Sequence, residues 1–236
     1  MVTQAVLFDT FGTVVDWRSG VSRDVQTFAS RRGLTLDPDQ FALDWRARYQ
    51  PAMEQVRSGS RAFEPLDRLH LENLRAVLEA HQVPAGSVSE ADLAWLNGCW
   101  HRLEAWPDSV VGLTALRERT IVGALSNAGV SMLVRMAKFA GLPWDLVIGS
   151  DLSRAYKPDP RAYRFAAVLL DLEPSEVLMC AAHNSDLVAA REVGFRTAFV
   201  PRSLEYGPGQ DRDLAPEADW DFVARDLVDL ASQLAP

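Results

Sequence analysis

The apolar run Ala5-Val6-Leu7-Phe8 predicts a strand buried on both faces, because four consecutive apolar residues leave no polar side for water. The same signature recurs at residues 120–126, 146–150, 177–182 and 197–201. Each of these runs is followed by apolar positions at helical spacing: 130–140 closed by Gly141, 160–172, 187–193 closed by Gly194, and 223–234. Strand alternating with helix predicts βαβ units and a Rossmann-like α/β core with a parallel five-stranded sheet. Between residues 16 and 105 the period changes. No convincing strand is found there, and three helical stripes take its place: Phe41, Trp45, Tyr49, Met53 and Val56; Leu71, Leu74 and Leu78; Leu93, Leu96, Trp100 and Leu103. Ser89 with Asp92 three residues later predicts a capped start for the last of these helices. The pattern divides the chain into a core domain, residues 1–15 and 106–236, and an inserted helical cap domain, residues 16–105. A cap placed directly after the first strand closes over the carboxyl ends of the strands, where open α/β sheets bind their ligands.

Composition narrows the partners. The chain has 236 residues, 48% of them hydrophobic, enough for a core domain plus a smaller one. Its net charge of −8 offers no basic footprint for nucleic acid or an anionic membrane. An anionic substrate must therefore be drawn in by local arginine or lysine. No apolar stretch approaches the roughly 20 residues of a membrane-spanning helix, and no basic region followed by a hydrophobic core opens the chain, so a cytoplasmic address is expected. Cys99 and Cys180 are too few for a disulfide framework and read as core thiols.

Chemistry gathers at the predicted strand ends. Asp9 ends the first run and opens the turn Thr10-Phe11-Gly12-Thr13, a position that suits a carboxylate nucleophile. Leu125-Ser126-Asn127 brings a hydroxyl and an amide to the end of the second strand, where they aim at the crevice or cap the next helix. Lys157, in Tyr156-Lys157-Pro158-Asp159, is one of only two lysines among 24 basic residues. The following proline holds it extended, so its ammonium can lean into the crevice and pair with a carboxylate. The fourth strand leads into Ala181-Ala182-His183-Asn184-Ser185-Asp186. Arg46 lies at the border of an apolar cap stripe, between Trp45 and Tyr49.

In order and spacing these residues resemble the haloacid dehalogenase superfamily, over nearly the whole chain from Ala5 to Pro201. Phosphotransfer members of that superfamily carry a second acid two residues after the nucleophile, and Phe11 stands there instead. They also place a Mg²⁺-binding acid four residues before the later acid of the fourth motif, where this chain has Ala182. Both absences point away from phosphoryl transfer and toward the carbon–halogen branch, and the chain resembles the type II 2-haloacid dehalogenases.

That resemblance implies a two-step hydrolysis with no metal or organic cofactor. Asp9 attacks the halogen-bearing carbon of a small anionic 2-haloacid and forms an ester, which water positioned near Asp186 hydrolyses to a 2-hydroxy acid. Lys157 keeps Asp9 ionised. Ser126 and the turn amides of Thr10 and Phe11 hold the substrate carboxylate, and Thr13 belongs to the same catalytic set. Arg46 faces the leaving halide, with Asn127 as a second donor. Tyr163, Phe11 and Leu66 are expected around the substrate, and His183 lines the pocket or supports Asp186 as a base. Here the chain departs from its best-known relatives, which read Ser-Ser-Asn at Ala181-Ala182-His183. Family members are often dimers, which leaves a homodimer open. The alternatives are another hydrolytic displacement at saturated carbon of a small carboxylic acid, such as ring opening of a cyclic amino acid; a phosphatase; and a non-catalytic binding protein.

Overall fold

The computed structural model describes residues 3–84 and 86–235. The chain enters through β1 (Ala5–Phe8) and β2 (Val15–Asp16) and then leaves the sheet for five helices. These are α1 (Trp17–Arg32), α2 (Pro38–Ala47), α3 (Tyr49–Arg57), α4 (Leu66–Ala80) and α5 (Glu90–Asn97). It returns through β3 (Glu104–Ala105) and runs α6 (Ser109–Arg117), β4 (Ile121–Ser126), α7 (Val130–Ala140), β5 (Leu146–Gly149), α8 (Ser150–Ser153) and α9 (Pro160–Leu170). The last elements are β6 (Val177–Ala181), α10 (Asn184–Glu192), β7 (Arg196–Phe199), β8 (Phe222–Val223) and α11 (Leu227–Gln233).

The main sheet is parallel, in the order β5-β4-β1-β6-β7-β8. β1 is central, paired to β4 on one side and β6 on the other, and all four of its residues are buried. Its carboxyl end therefore points into the crevice where the strand order changes direction, the expected ligand position for such a sheet. Six strands replace the expected five. Val223, read from sequence as the start of the terminal helix, pairs instead with Phe199, as Phe222 before it pairs with Ala198, and the helix begins at Leu227 behind the Asp226 cap. A strand of two residues has no periodicity of its own to betray it.

The insertion also differs in detail. Its stems pair as a short antiparallel ribbon, Val15 with Ala105 and Asp16 with Glu104, where no strand was expected. Among the described residues, five α-helices and a short 3-10 turn, Gly98–His101, stand in place of three helices. The stripe from Phe41 to Val56 is broken at Arg48 into α2 and α3. Pro51, in the first turn of α3, lacks the N–H that a continuous helix would need and its ring would meet the carbonyl of Ala47. α1 was missed outright, although Trp17, Val21, Val25 and Phe28 lie on one buried face. Gly20 and the polar residues between them dilute that signal. Ser89 does form the capping box with Asp92. Asp159 and Asp37, each followed by proline at the first helical position, cap α9 and α2 with their side chains accepting from first-turn amides.

One buried cluster runs from the sheet into the inserted helices and contains Phe8, Phe11, Trp17, Trp45 and Trp100. Both cysteines are free and buried. Among the described residues, no helix is long and apolar enough to cross a membrane.

Candidate active site

Asp9 leaves the end of β1 into a turn that Gly12 makes feasible. Gly12 has φ +86°, and a Cβ there would run into the Glu205 carboxyl group. Every oxygen of Asp9 is engaged. Oδ1 accepts from Lys157 Nζ at 3.0 Å; Oδ2 accepts from Thr13 Oγ1 at 3.0 Å and lies 3.1 Å from His183 Nδ1. Thr13 Oγ1 in turn accepts from the Ala182 amide at 2.9 Å, tying the first turn to the fourth strand end.

Lys157 also donates to Asp186 Oδ2, and Tyr163 OH donates to Asp186 Oδ1. Asp186 thus has both oxygens taken by protein. Lys157 follows the loop after α8, and the Lys157–Pro158 peptide is cis. Its backbone is held by Asn127, whose Oδ1 accepts from the Lys157 amide at 2.6 Å and whose Nδ2 donates to the Lys157 carbonyl at 3.3 Å.

On the far side of Asp9, His183 reaches a residue that the sequence reading did not single out. His183 Nε2 lies 2.8 Å from Glu205 Oε2, and Glu205 Oε1 accepts from Trp17 Nε1 at 2.8 Å. Glu205 is almost fully buried, in the loop after β7. One signal could have found it: the loops after all parallel strands converge on one crevice, so an acid downstream of β7 is a candidate by topology alone.

Charge follows this geometry. Burial pushes the Asp9 carboxyl up, but the Lys157 ammonium and His183 more than reverse it, and Asp9 lies well below the usual carboxylate range. Burial disfavours a charged Lys157, yet Asp186 and Asp9 hold it above the ordinary lysine value. His183 is likewise disfavoured as a cation by burial, and is raised well above its usual value chiefly by Glu205, with Asp9 adding to it. The crevice is lined by a network of buried, paired charges.

Across it, α2 contributes a different arrangement. The Arg46 guanidinium lies over the Tyr49 ring at 4.1 Å, with Trp17 at 5.2 Å and Phe11 at 5.7 Å. Arg46 Nη1 is buried with no hydrogen-bond partner among the described residues. α3 latches this side to the core: Arg57 donates to the Lys157 carbonyl at 3.2 Å. Between the two sides lies a cavity of about 430 Å³, bounded by Asp9, Phe11, Arg46, Tyr49, Asn127, Lys157, Tyr163, His183 and Asp186 among others.

Four expected site residues stand back from this cavity; one is Thr13, buried with its Oγ1 on Asp9. Leu66, expected as a pocket wall, is buried at the start of α4 within the hydrophobic cluster and does not line the cavity. Ser126 is buried beneath the crevice, its Oγ accepting from the Ala128 amide at 3.2 Å. Thr10 lies in the turn, with its Oγ1 buried and unpartnered among the described residues.

A Mg²⁺ ion does not suit this donor set. Lys157 already occupies the facing oxygens of Asp9 and Asp186, His183 and Thr13 take the other oxygen of Asp9, and Ala182 offers no ligand. Among the described residues, no three His, Cys, Asp or Glu side chains group as a metal site.

Comparison with known proteins agrees with this geometry. The family model of haloacid dehalogenase-like hydrolases matches residues 3–194. The (S)-2-haloacid dehalogenase 1 of Pseudomonas sp. (strain CBS-3) is 30% identical over 203 residues, covering 84% of this chain and 85% of that protein. The crystal structure of a defluorinating L-2-haloacid dehalogenase superposes with a TM-score of 0.97 at 52% identity, over 98% of this chain and 95% of that one. A second L-2-haloacid dehalogenase structure gives a TM-score of 0.94 at 46% identity, over 99% of this chain and 100% of that one.

Proposed function

The chain belongs to the family of haloacid dehalogenase-like hydrolases, and from that premise we propose that it hydrolyses small 2-haloalkanoic acids to 2-hydroxy acids through an ester on Asp9. One observation carries the reading. A buried, fully ionised carboxylate faces a buried, unpaired guanidinium across a single cavity. The first is a nucleophile, and the second awaits an anion.

In the first step an Asp9 oxygen forms a bond to C2 of the substrate as the carbon–halogen bond breaks, and the halide leaves with the electron pair toward Arg46. A carboxylate is a weak nucleophile in water. Its reactivity here rests on exclusion of water, on fixed alignment, and on stabilisation of the departing charge by Arg46. No acid is required, since a halide leaves without a proton, so Phe11 serves in place of the acid that alcohol-releasing relatives need.

In the second step water attacks the Asp9 carboxyl carbon. Asp186 has both oxygens committed, so we assign the base to His183, with Glu205 behind it. Esterification removes the Asp9 charge, one of the two that raise the proton affinity of His183. That loss shifts the imidazole toward its neutral form at the stage where a base is needed. His183 takes the water proton and returns it to the departing 2-hydroxy acid oxygen, while Glu205 holds the imidazolium. Asp9 is regenerated with one oxygen from water, and the second water proton passes to solvent.

The test is halide release from L-2-chloropropionate with chelator present, followed by a single turnover in ¹⁸O-water. Chelator-insensitive release with the label first appearing in Asp9 is expected. Label entering the product while Asp9 stays unlabelled would overturn the ester, and Mg²⁺-dependent phosphate release from an aryl phosphate without halide release would overturn the reaction class.

A further inference from the structure

Asn127 is the natural second donor to a departing halide by its place at the end of β4, but its amide oxygen and one amide hydrogen are spent inside the protein. Its Oδ1 and one Nδ2 hydrogen hold the Lys157 backbone. It borders the cavity together with Tyr49, and its amide favours the ionised phenol. An amide nitrogen has two hydrogens, so toward the phenol Asn127 has one left to offer, and the phenol keeps its own proton to give.

Tyr49 sits where that proton is useful. It opens α3, it is 5% exposed, and it lines the cavity together with Asp9 and Arg46. Its ring is fixed by an edge contact to Phe11 at 6.4 Å and by the Arg46 guanidinium at 4.1 Å. Burial also holds the phenol above its ordinary value, so it stays protonated through the working pH range. Arg46 supplies charge and Tyr49 a directed neutral O–H, both at the wall opposite the nucleophile.

We infer that the Tyr49 hydroxyl is the hydrogen-bond donor that touches the departing halogen, and that it sets how far the enzyme's range extends toward fluorine. This rests on the dehalogenase reading above. As the Asp9–carbon bond forms and the carbon–halogen bond breaks, the halide keeps both electrons and Tyr49 keeps its proton, contributing a hydrogen bond that shortens as charge develops. Fluoride is the smallest halide and the strongest acceptor, and it depends most on a directed donor. Iodide, large and diffuse, depends least and is served by the guanidinium alone.

The experiment compares wild type with Tyr49→Phe, which keeps the ring packing, in single-turnover ester formation from iodo-, bromo-, chloro- and fluoroacetate. The loss is expected to grow along that series, from within about threefold for iodoacetate to about 10²-fold for fluoroacetate, the usual effect of deleting one such donor. The trend is read over those substrates that the wild type turns over. One common factor for every halide would mean that Tyr49 only packs the site, and no loss at the chloride and fluoride end would mean that it donates nothing; either overturns the inference. Binding of free fluoride, followed by ¹⁹F line broadening, gives an independent readout: broadening with wild type and none with Tyr49→Phe is expected, and equal broadening overturns the proposal. Absence of halide release from any substrate by the wild type defeats the parent reading instead, while the fluoride titration still decides this one.

Discussion

Asp9 and Arg46 face one cavity from opposite walls, and their surroundings differ in kind. On the core wall each charge has a counter-charge: Asp9 with Lys157 and His183, Lys157 with Asp186, His183 with Glu205. On the cap wall Arg46 is surrounded by aromatic rings and has no carboxylate within ion-pair distance among the described residues. Desolvated charge is costly unless compensated. The paired wall is complete before substrate arrives, whereas the cap wall is completed by an anion. On the proposed reading, the difference separates residues that contribute to both stability and chemistry from a residue kept for chemistry alone.

Replacing the nucleophile should break the comparison most severely. Asp9→Asn keeps the shape and removes the bond-forming charge, and halide release should fall by roughly 10⁴-fold or more, measured as initial rates with an ion-selective electrode. Lys157→Met and Arg46→Met then set the two walls against each other. Lys157→Met leaves Asp186 buried without a counter-charge and Asp9 with His183 alone, and should cost about 3–5 kcal/mol of stability as well as activity. Arg46→Met should lower halide release by about 10²–10³-fold yet leave the urea midpoint unchanged or higher. Equal destabilisation by both would dissolve the distinction.

Glu205→Gln sharpens the core side. With its partner neutral, His183 loses support as a base, and ester hydrolysis should slow by about 10²-fold while ester formation persists, so the Asp9 adduct accumulates and is seen by mass spectrometry. The pH dependence of stability should change too. Folding raises the proton affinity of His183, so its contribution is whole below pH about 6.5 and is lost as pH rises through the higher folded value. Folding depresses Asp9, whose contribution is present above the ordinary carboxylate range and lost on acidification. Glu205→Gln should flatten the alkaline limb of a thermal-melt profile and leave the acid limb. Smallest of all, Arg212→Gln at the cavity mouth, where the side chain is largely exposed over Tyr206, should change kcat/KM by less than about threefold, and only at low salt.

Legibility followed the range of the interaction. β1, β4, β6 and β7 were readable because burial on both faces writes itself as a local apolar run; Asp9, Asp186 and His183 were found because each follows such a run, and Lys157 because it is one of two lysines and precedes a proline. α1 carried a readable stripe in Trp17, Val21, Val25 and Phe28, weakened by Gly20 and its polar neighbours. Leu66 was misplaced as a pocket wall because an apolar residue at the head of a helix looks the same whether it turns to a cavity or to a core. β8 exists only by pairing with β7, and Glu205 draws its meaning from Trp17, 188 positions away.

The chain's own pattern determined the main strands and that a carboxylate stands at the end of the first, because burial and turn chemistry act between neighbours; that an acid is missing at Phe11 was legible only through the resemblance to a family. Tertiary structure decided which partners complete the site. Whether His183 answers to Asp186 or to Glu205, and whether Asn127 or Tyr49 presents a proton to the cavity, depends on distances of about 3 Å between segments that sequence keeps far apart. No local preference encodes those distances; they follow from how the loops and helices pack above the sheet.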